Sequence, residues 1–406
     1  MSTAFQAKRI LLGISGGIAA YKACELASRL IKAGAEVQVI MTGNATKFVA
    51  PLTLRTLTGR PVMLGMFDEV KQWKVDHIGA ARWADACLLA PATANLMAKL
   101  AWGLADDLLS ATCLACAKPL VIAPAMNSGM YDHPASRENR AKLAERGCLL
   151  VEPGEGMLAC GDSGQGRLAE PELILLWLAY ALREEKPLRG RRVLVTAGPT
   201  RESLDPVRFL TNHSSGRMGY SIAKQAWLLG GEVTLISGPV EPEALPVNRI
   251  ETESGAEMAD RTLAAAAGQD IIIMAAAVAD YTPAVKSAVK IKKRAGGLTL
   301  ELERTTDILA ELGRRKKAAQ TLVGFAAETE DLLANARRKL QEKNADLMAA
   351  NDLTRPGAGF GGGTNQLTLL WADGRSRELA LMDKDDCAYE VVAAAEEIWR
   401  ERAAGL

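Results

Sequence analysis

Twice in this chain an apolar run stops at a tight glycine-bearing turn and continues into a helical segment that glycine closes. A parallel sheet with crossover helices satisfies that pattern. The first instance is Ile10–Ile14, then Ser15-Gly16-Gly17, then a helix predicted over Ala19–Lys32. Gly34 ends that helix, and Glu36–Met41 is the next strand. Ala86–Ala90 and Leu120–Ala123 repeat the short apolar strand. The pattern restarts at Arg192, with Val193–Thr196 as a strand, the loop Ala197-Gly198-Pro199-Thr200, a helix over Gly219–Leu229 and a strand over Glu232–Ser237. Asp270–Ala275 and Leu322–Phe325 are further buried strands. Runs this uniformly apolar are the mark of parallel strands covered on both faces. At 406 residues the chain is too long for one ordinary core. Leu182–Arg192 is charged and carries Pro187 and Gly190, as a linker should. The expectation is α/β, two tandem doubly wound parallel-sheet domains, 1–187 and 188–406.

Net charge is +1, which removes any global argument for nucleic acid or a membrane surface. Lys8 and Arg9 precede an apolar run that resembles a signal peptide, but Ser15-Gly16-Gly17 breaks it and no small-residue cleavage site follows. The expected location is therefore the cytoplasm. Seven cysteines without regular spacing are expected to be thiols there. Cys113 and Cys116 form one CxxC. With three histidines in the chain and no second CxxC, a buried alanine-rich helix explains that pair better than zinc.

In open α/β sheets ligands bind at the carboxyl ends of the strands. Three such ends in the first half are small and polar: Ser15-Gly16-Gly17, Met41-Thr42-Gly43-Asn44, and Pro91-Ala92-Thr93. The first can present backbone N–H groups and the Ser15 hydroxyl to a phosphate, although such turns also serve tight packing alone. Gly154, Gly156, Gly161, Gly164 and Gly166 crowd a segment around Cys160 and are expected to make it a mobile flap.

The first half resembles the flavin-containing cysteine decarboxylase family. The resemblance rests on Gly-Ile-Ser-Gly-Gly-Ile-Ala-Ala-Tyr-Lys over 13–22, on Ala90-Pro91-Ala92-Thr93-Ala94-Asn95, and on Pro124-Ala125-Met126-Asn127-Ser128-Gly129-Met130-Tyr131. It implies a flavodoxin-like fold and FMN held by Ser15, Gly16, Gly17, Thr42, Asn44, Pro91, Ala92, Thr93 and Met126. It further implies that His77 transfers a proton, that Asn127 orients the substrate carboxylate, and that Cys160 supplies the proton completing the product. The chemistry it implies is oxidation before loss of CO₂: a thioaldehyde acts as electron sink, because an acylated cysteine nitrogen cannot form a Schiff base.

In the second half Thr196–Glu202 is neither a dinucleotide fingerprint nor a P-loop. Asp205-Pro-Val-Arg-Phe-Leu-Thr-Asn212-His-Ser-Ser-Gly216-Arg-Met-Gly219 sets hydroxyls, an amide and N–H groups before a helix, which suits an anion or simply an N-cap. This stretch resembles the phosphopantothenate–cysteine ligase signature, with Arg217 where the family usually has lysine. The resemblance implies that Asn212 handles an acyl-nucleotide and that Arg208, Ser214, Ser215 and Gly216 contact substrate. It implies CTP at Ala275, Ala276, Asp280, Lys290, Thr306, Asp307, Ile308, Phe325, Lys339 and Lys343, the last two read as one helix face. Arg304-Thr305-Thr306 replaces the family's Lys-Asn-Pro. Mg²⁺ is expected through the CTP phosphates, with Asp280 as a candidate ligand. Gly357–Gly363 reads as a flexible loop suited to a lid.

Together the two resemblances imply coenzyme A biosynthesis. One half would join cysteine to 4'-phosphopantothenate, and the other would convert 4'-phosphopantothenoylcysteine to 4'-phosphopantetheine. They also imply homo-oligomers, trimers through the first domain and dimers through the second, up to a dodecamer. Rival readings are a flavin decarboxylase of another cysteine-containing substrate and a non-catalytic regulatory flavoprotein.

Overall fold

The computed structural model describes residues 2–67, 75–157, 161, 163–241, 243–293, 297–328, 331–352 and 362–405. The chain divides into two compact units, Met1–Glu184 and Glu185–Leu406.

In the first unit β1 (Arg9–Ile14), β2 (Glu36–Met41), β3 (Ala86–Ala92), β4 (Leu120–Pro124) and β5 (Leu149–Leu150) form one parallel sheet in the order β2-β1-β3-β4-β5. Ile10, Leu11, Leu12 and Ile14 are all fully buried, the expected result of helices on both faces. One core packs Leu11, Ile40, Leu89 and Ile122 against Leu96, Met97 and Leu109. The helix expected over Ala19–Lys32 opens as a 3-10 turn, Ile18–Tyr21, and becomes α-helical at Lys22–Lys32. The described parts of the glycine-rich segment form an antiparallel ribbon, β6 (Gly154–Met157) with β7 (Ser163–Arg167). Cys160 lies outside the described residues.

The second unit starts with β8 (Arg192–Ala197), followed by the small ribbon β9 (Arg201–Ser203) and β10 (Phe209–Thr211). Then come β11 (Glu232–Ser237), β12 (Asn248–Glu251), β13 (Ile271–Met274), the ribbon β14 (Tyr281–Pro283) with β15 (Leu302–Arg304), β16 (Thr321–Glu328) and β17 (Leu347–Asp352). Short β18 (Thr364–Asn365) precedes β19 (Leu367–Trp371) and β20 (Ser376–Glu378). The main sheet runs β12-β11-β8-β13-β16-β17-β19-β20, parallel through β17 and antiparallel beyond it. Its core packs Leu194, Ile236, Ile272, Leu322 and Met348 against Met258, Leu312 and Leu340. The last helix, Lys384–Gly405, is clamped where Arg402 and Lys316 both pair with the buried Asp346.

Both sheets reverse strand order once, between β1 and β3 and between β8 and β13. That reversal opens a crevice at the carboxyl ends, because the crossovers on either side leave in opposite directions. Both candidate sites are at these reversals.

Candidate functional site

A cavity of about 1030 Å³ opens at the first reversal. Its walls include Ser15, Gly16 and Gly17 after β1, Thr42 and Asn44 after β2, Thr93 after β3, and Met126 and Asn127 after β4. Most of the expected first-half residues therefore converge on one space. Ser15 departs from expectation in its role. Its hydroxyl donates to the Pro91 carbonyl at 2.8 Å and accepts from Thr93 N–H at 2.8 Å, so it pins the β1 and β3 turns together. With that hydroxyl engaged, the Ser15-Gly16-Gly17 turn itself is left with backbone donors. Gly16 is required by proximity: a Cβ there would come within 2.4 Å of Asn44 Cβ and 2.7 Å of Asn44 carbonyl carbon. Bare backbone beside a helix start is what close approach of an anionic group needs.

The Asn127 side chain accepts from Gly129 N–H at 2.8 Å and caps the short helix Ser128–Asp132, which fixes its carboxamide at the wall. β7 presses on the same turn. Met126 N–H donates to the Gly166 carbonyl at 3.0 Å, and a Cβ on Gly166 would stand 2.3 Å from Met126 O. Gly164 and Gly166 of this ribbon thus serve close packing against the Asn127 turn.

Three basic side chains, Lys22, Lys99 and Arg167, line the cavity against one acid, Asp107. Lys99 pairs with Asp106 at 2.6 Å and Asp107 at 2.8 Å. Burial alone would lower the Lys99 ammonium, but the two carboxylates outweigh it and raise its pKa. Sequence reading missed this pair because it joins the end of one helix to the cap of the next. Asp107 followed by Ser110 is a legible capping signal. His77, on the helix Asp76–Trp83, is half-buried and does not line the cavity.

In the second unit some of the predicted residues, Asn212, Ala276 and Asp280, stand in a hydrogen-bonded belt past the carboxyl ends of β8 and β13. Asn212 Nδ2 donates to the Ala277 carbonyl at 2.9 Å, just past Ala275 and Ala276. Ala276 N–H donates to Thr196 Oγ1 at 3.2 Å, and Ala279 N–H to Thr200 Oγ1 at 3.1 Å. Thr305 ties on through its N–H to the Asp280 carbonyl at 3.0 Å and its hydroxyl to the Ala279 carbonyl at 2.6 Å. Asp307 caps the helix Ile308–Arg315 and takes an ion pair from Lys343. Lys343 caps the helix Leu332–Glu342, which carries Lys339, and its N–H donates to the Lys339 carbonyl at 2.9 Å, so the two stand one helical turn apart. Phe325 is half-buried in β16, and Asp280, Thr306 and Lys290 are exposed. Ser214 accepts from Gly216 N–H at 3.3 Å at the start of the helix Arg217–Leu228. Ser215 is exposed. A separate cavity of about 740 Å³ near Arg201, Ser237 and Glu257 is lined by none of the predicted nucleotide residues. Residues 353–361, which hold most of the expected lid, lie outside the described residues.

Asp205 locks the signature loop. Its carboxylate accepts N–H bonds from Val207, Arg208 and Ile291 and pairs with the Arg208 guanidinium at 2.8 Å. Arg208 also donates to the Ile291 carbonyl, fastening the loop beside Lys290. Burial would raise the Asp205 carboxyl, but the three N–H donors and Arg208 outweigh it and hold it at about 2. A pKa depressed in the folded state contributes stability that is present above the unfolded value of about 3.9 and lost as pH falls toward the folded one. Protection of the Val207, Arg208 and Ile291 amides from hydrogen exchange is therefore expected to hold above about pH 4 and to fall as pH approaches about 2. Asp205→Asn should flatten that pH dependence in the full chain; an unchanged profile would contradict the assignment.

Residues 1–180 match the family described as Flavoprotein, and residues 188–398 match the DNA/pantothenate metabolism flavoprotein C-terminal domain family. The Coenzyme A biosynthesis bifunctional protein CoaBC of Bacillus subtilis is 51% identical over 390 residues, covering 95% of this chain and 96% of that protein. The protein of the same name from Vibrio cholerae is 48% identical over 388 residues, 95% of this chain and 97% of its own length. A solved C-terminal domain of a protein of that name is 41% identical, with a TM-score of 0.47, and covers 53% of this chain and 100% of that chain.

Proposed function

Because the chain belongs to the family of coenzyme A biosynthesis bifunctional proteins called CoaBC, we infer that its two activities divide between the two units. The protein is a bifunctional coenzyme A biosynthesis enzyme, a flavoprotein decarboxylase and a ligase. We assign decarboxylation of 4'-phosphopantothenoylcysteine to residues 1–187 and ligation of cysteine to 4'-phosphopantothenate to residues 188–406. The observation that carries this is the glycine-walled, net-positive cavity at the first strand reversal, with a second polar belt at the other reversal.

FMN fits the first cavity in two respects. The Ser15-Gly16-Gly17 turn offers backbone without side-chain bulk to a phosphate, and 1030 Å³ is ample for a tricyclic ring and a substrate end. Bound there, the flavin supplies the two-electron chemistry that makes loss of CO₂ feasible. Asn127 orients the substrate carboxylate without neutralising it, so the group can leave as CO₂ while the bonding electron pair stays with the substrate. His77 carries a proton, and Cys160 delivers the last one. Gly16→Ala is expected to push the Asn44 loop away at an overpacking cost of about 1–3 kcal/mol, leaving roughly ten- to hundredfold weaker flavin binding. Flavin retained per chain after gel filtration checks this.

His77 does not reach its own cavity, and Ile18, Tyr21, Met130 and Met157 on the cavity walls are all more than half exposed. Both facts support a homo-oligomer in which a neighbouring copy covers the cavity and brings His77 to it. Trimers through the first unit and dimers through the second, up to a dodecamer, are the arrangement we propose. Among the described residues no helix is long and apolar enough to cross a membrane. A cytoplasmic location is the reading that suits the substrates.

In the second unit the 4'-phosphopantothenate carboxylate attacks the α-phosphorus of CTP, and pyrophosphate leaves. Cysteine's amine then attacks the acyl-cytidylate carbon, and CMP leaves. Lys290, Lys339 and Lys343 would offset triphosphate charge, Mg²⁺ held with the nucleotide would add to that, with Asp280 as a candidate ligand, and Asn212 would hold the acyl-nucleotide. Turnover with CTP against ATP tests the nucleotide. CMP and pyrophosphate should form in equal amounts with CTP, and ATP should support little product; equal rates with both would overturn the choice of CTP.

A further inference from the structure

Four cysteines of the first unit gather away from the cavity. Cys87 is fully buried on β3, and Cys113 is buried on the helix Leu108–Ala115. Cys116 caps that helix and is partly exposed, and Cys148 packs at the edge of the same core. None lines the cavity. The Sγ atoms of Cys87 and Cys116 are 3.3 Å apart, in direct contact. The backbone holds them in register: Cys116 N–H donates to the Cys113 carbonyl at 3.2 Å, and Cys87 N–H donates to the Pro119 carbonyl at 2.9 Å.

We propose that Cys116 is an oxidation site for hydrogen peroxide and that Cys87 is its resolving thiol. Cys116 sulfur attacks the peroxide O–O bond, forming an S–O bond and releasing water. Cys87 sulfur then attacks the resulting sulfenic sulfur, so that an S–S bond forms, the S–O bond breaks, and the departing oxygen takes the Cys87 proton as a second water. Two thiols lose two electrons, and one peroxide is reduced to two waters.

Three observations select this pair. A disulfide bond is about 2.05 Å long, so the sulfurs need approach by only roughly 1.2 Å. Cys116 is the capping residue just past the end of a helix, where that movement disturbs no strand pairing. Only the partly exposed member can meet a dissolved oxidant, and it is the one favoured as thiolate: the contact with Cys87, opposed by partial burial and helped by Lys118, lowers its pKa. Burial instead raises Cys113 and Cys148 and keeps them as thiols. The plain alternative is that both sulfurs merely fill the core between β3 and the helix.

The test treats the flavin-loaded full chain with graded hydrogen peroxide, blocks remaining thiols, and maps peptides by mass spectrometry. A reducible cross-link between the Cys87 and Cys116 peptides is expected at doses that leave Cys24 and Cys148 alkylatable. Cys87→Ala should accumulate dimedone-reactive sulfenic acid at Cys116. Cys116→Ser, a change at a partly exposed site, should leave Cys87 reduced at the same doses. Cys116 still alkylatable when Cys24 and Cys148 are oxidised would overturn the proposal, as would a cross-link from Cys116 to Cys113 or Cys148.

Discussion

His77→Asn is expected to slow CO₂ release from 4'-phosphopantothenoylcysteine by about 10²–10⁴-fold, the usual contribution of a positioned acid–base group. It should leave CMP formation by the second unit unchanged. Asparagine keeps the size and polarity of histidine at the start of the Asp76–Trp83 helix but cannot carry a proton near neutral pH. Because His77 does not line its own chain's cavity, flavin content should also stay at the wild-type level. Mixing adds a sharper readout. If the group comes from a neighbouring copy, His77→Asn chains co-assembled with Asn127-variant chains should regain part of the activity that neither has alone. No recovery in verified mixed assemblies would place His77 and Asn127 in service of the same chain's cavity, or His77 outside the chemistry.

Asn212→Asp is the second large effect. The native side chain donates to the Ala277 carbonyl at the mouth of the β8–β13 crevice. A carboxylate there has no donor for that carbonyl and, in the proposed ligation, would set a negative charge toward the phosphoryl group of the acyl-cytidylate. Losing one such preorganised donor typically costs about 10²–10³ in kcat, and the added charge acts in the same direction. Ligation should fall by at least that factor while CO₂ release from supplied 4'-phosphopantothenoylcysteine continues. If Asn212→Asp stopped both half-reactions, the two sites would not be independent.

The central strands were legible because they are covered on both faces and read as largely apolar runs, whereas exposed edge strands such as Asn248–Glu251 and Ser376–Glu378 were not. Ile10–Ile14 and Glu36–Met41 needed only hydropathy. The strand-end loops were legible for a related reason: Gly16 and Asn127 stand where backbones must approach, and small or amide residues there have few other uses. What the sequence concealed depends on long-range contact. Gly154–Arg167 read as a flap because glycine signals freedom locally, yet Gly166 is glycine because Met126 O leaves no room for a Cβ. Ser15 read as a ligand donor, because only the fold shows Pro91 and Thr93 consuming its hydroxyl. Lys99 and Asp107 carried no ligand motif and reach the cavity through the turn between two helices. The contact between Cys87 and Cys116 joins residues 29 apart in sequence, beyond any periodicity.

The central claim is that one polypeptide makes 4'-phosphopantothenoylcysteine and then decarboxylates it. Supplying the flavin-loaded protein with 4'-phosphopantothenate, CTP, Mg²⁺ and L-cysteine labelled at its carboxyl carbon tests this directly. Labelled CO₂ is predicted only when all four are present, with unlabelled 4'-phosphopantetheine accumulating in step. Label that stays in cysteine, or stops in 4'-phosphopantothenoylcysteine with flavin bound, would contradict it.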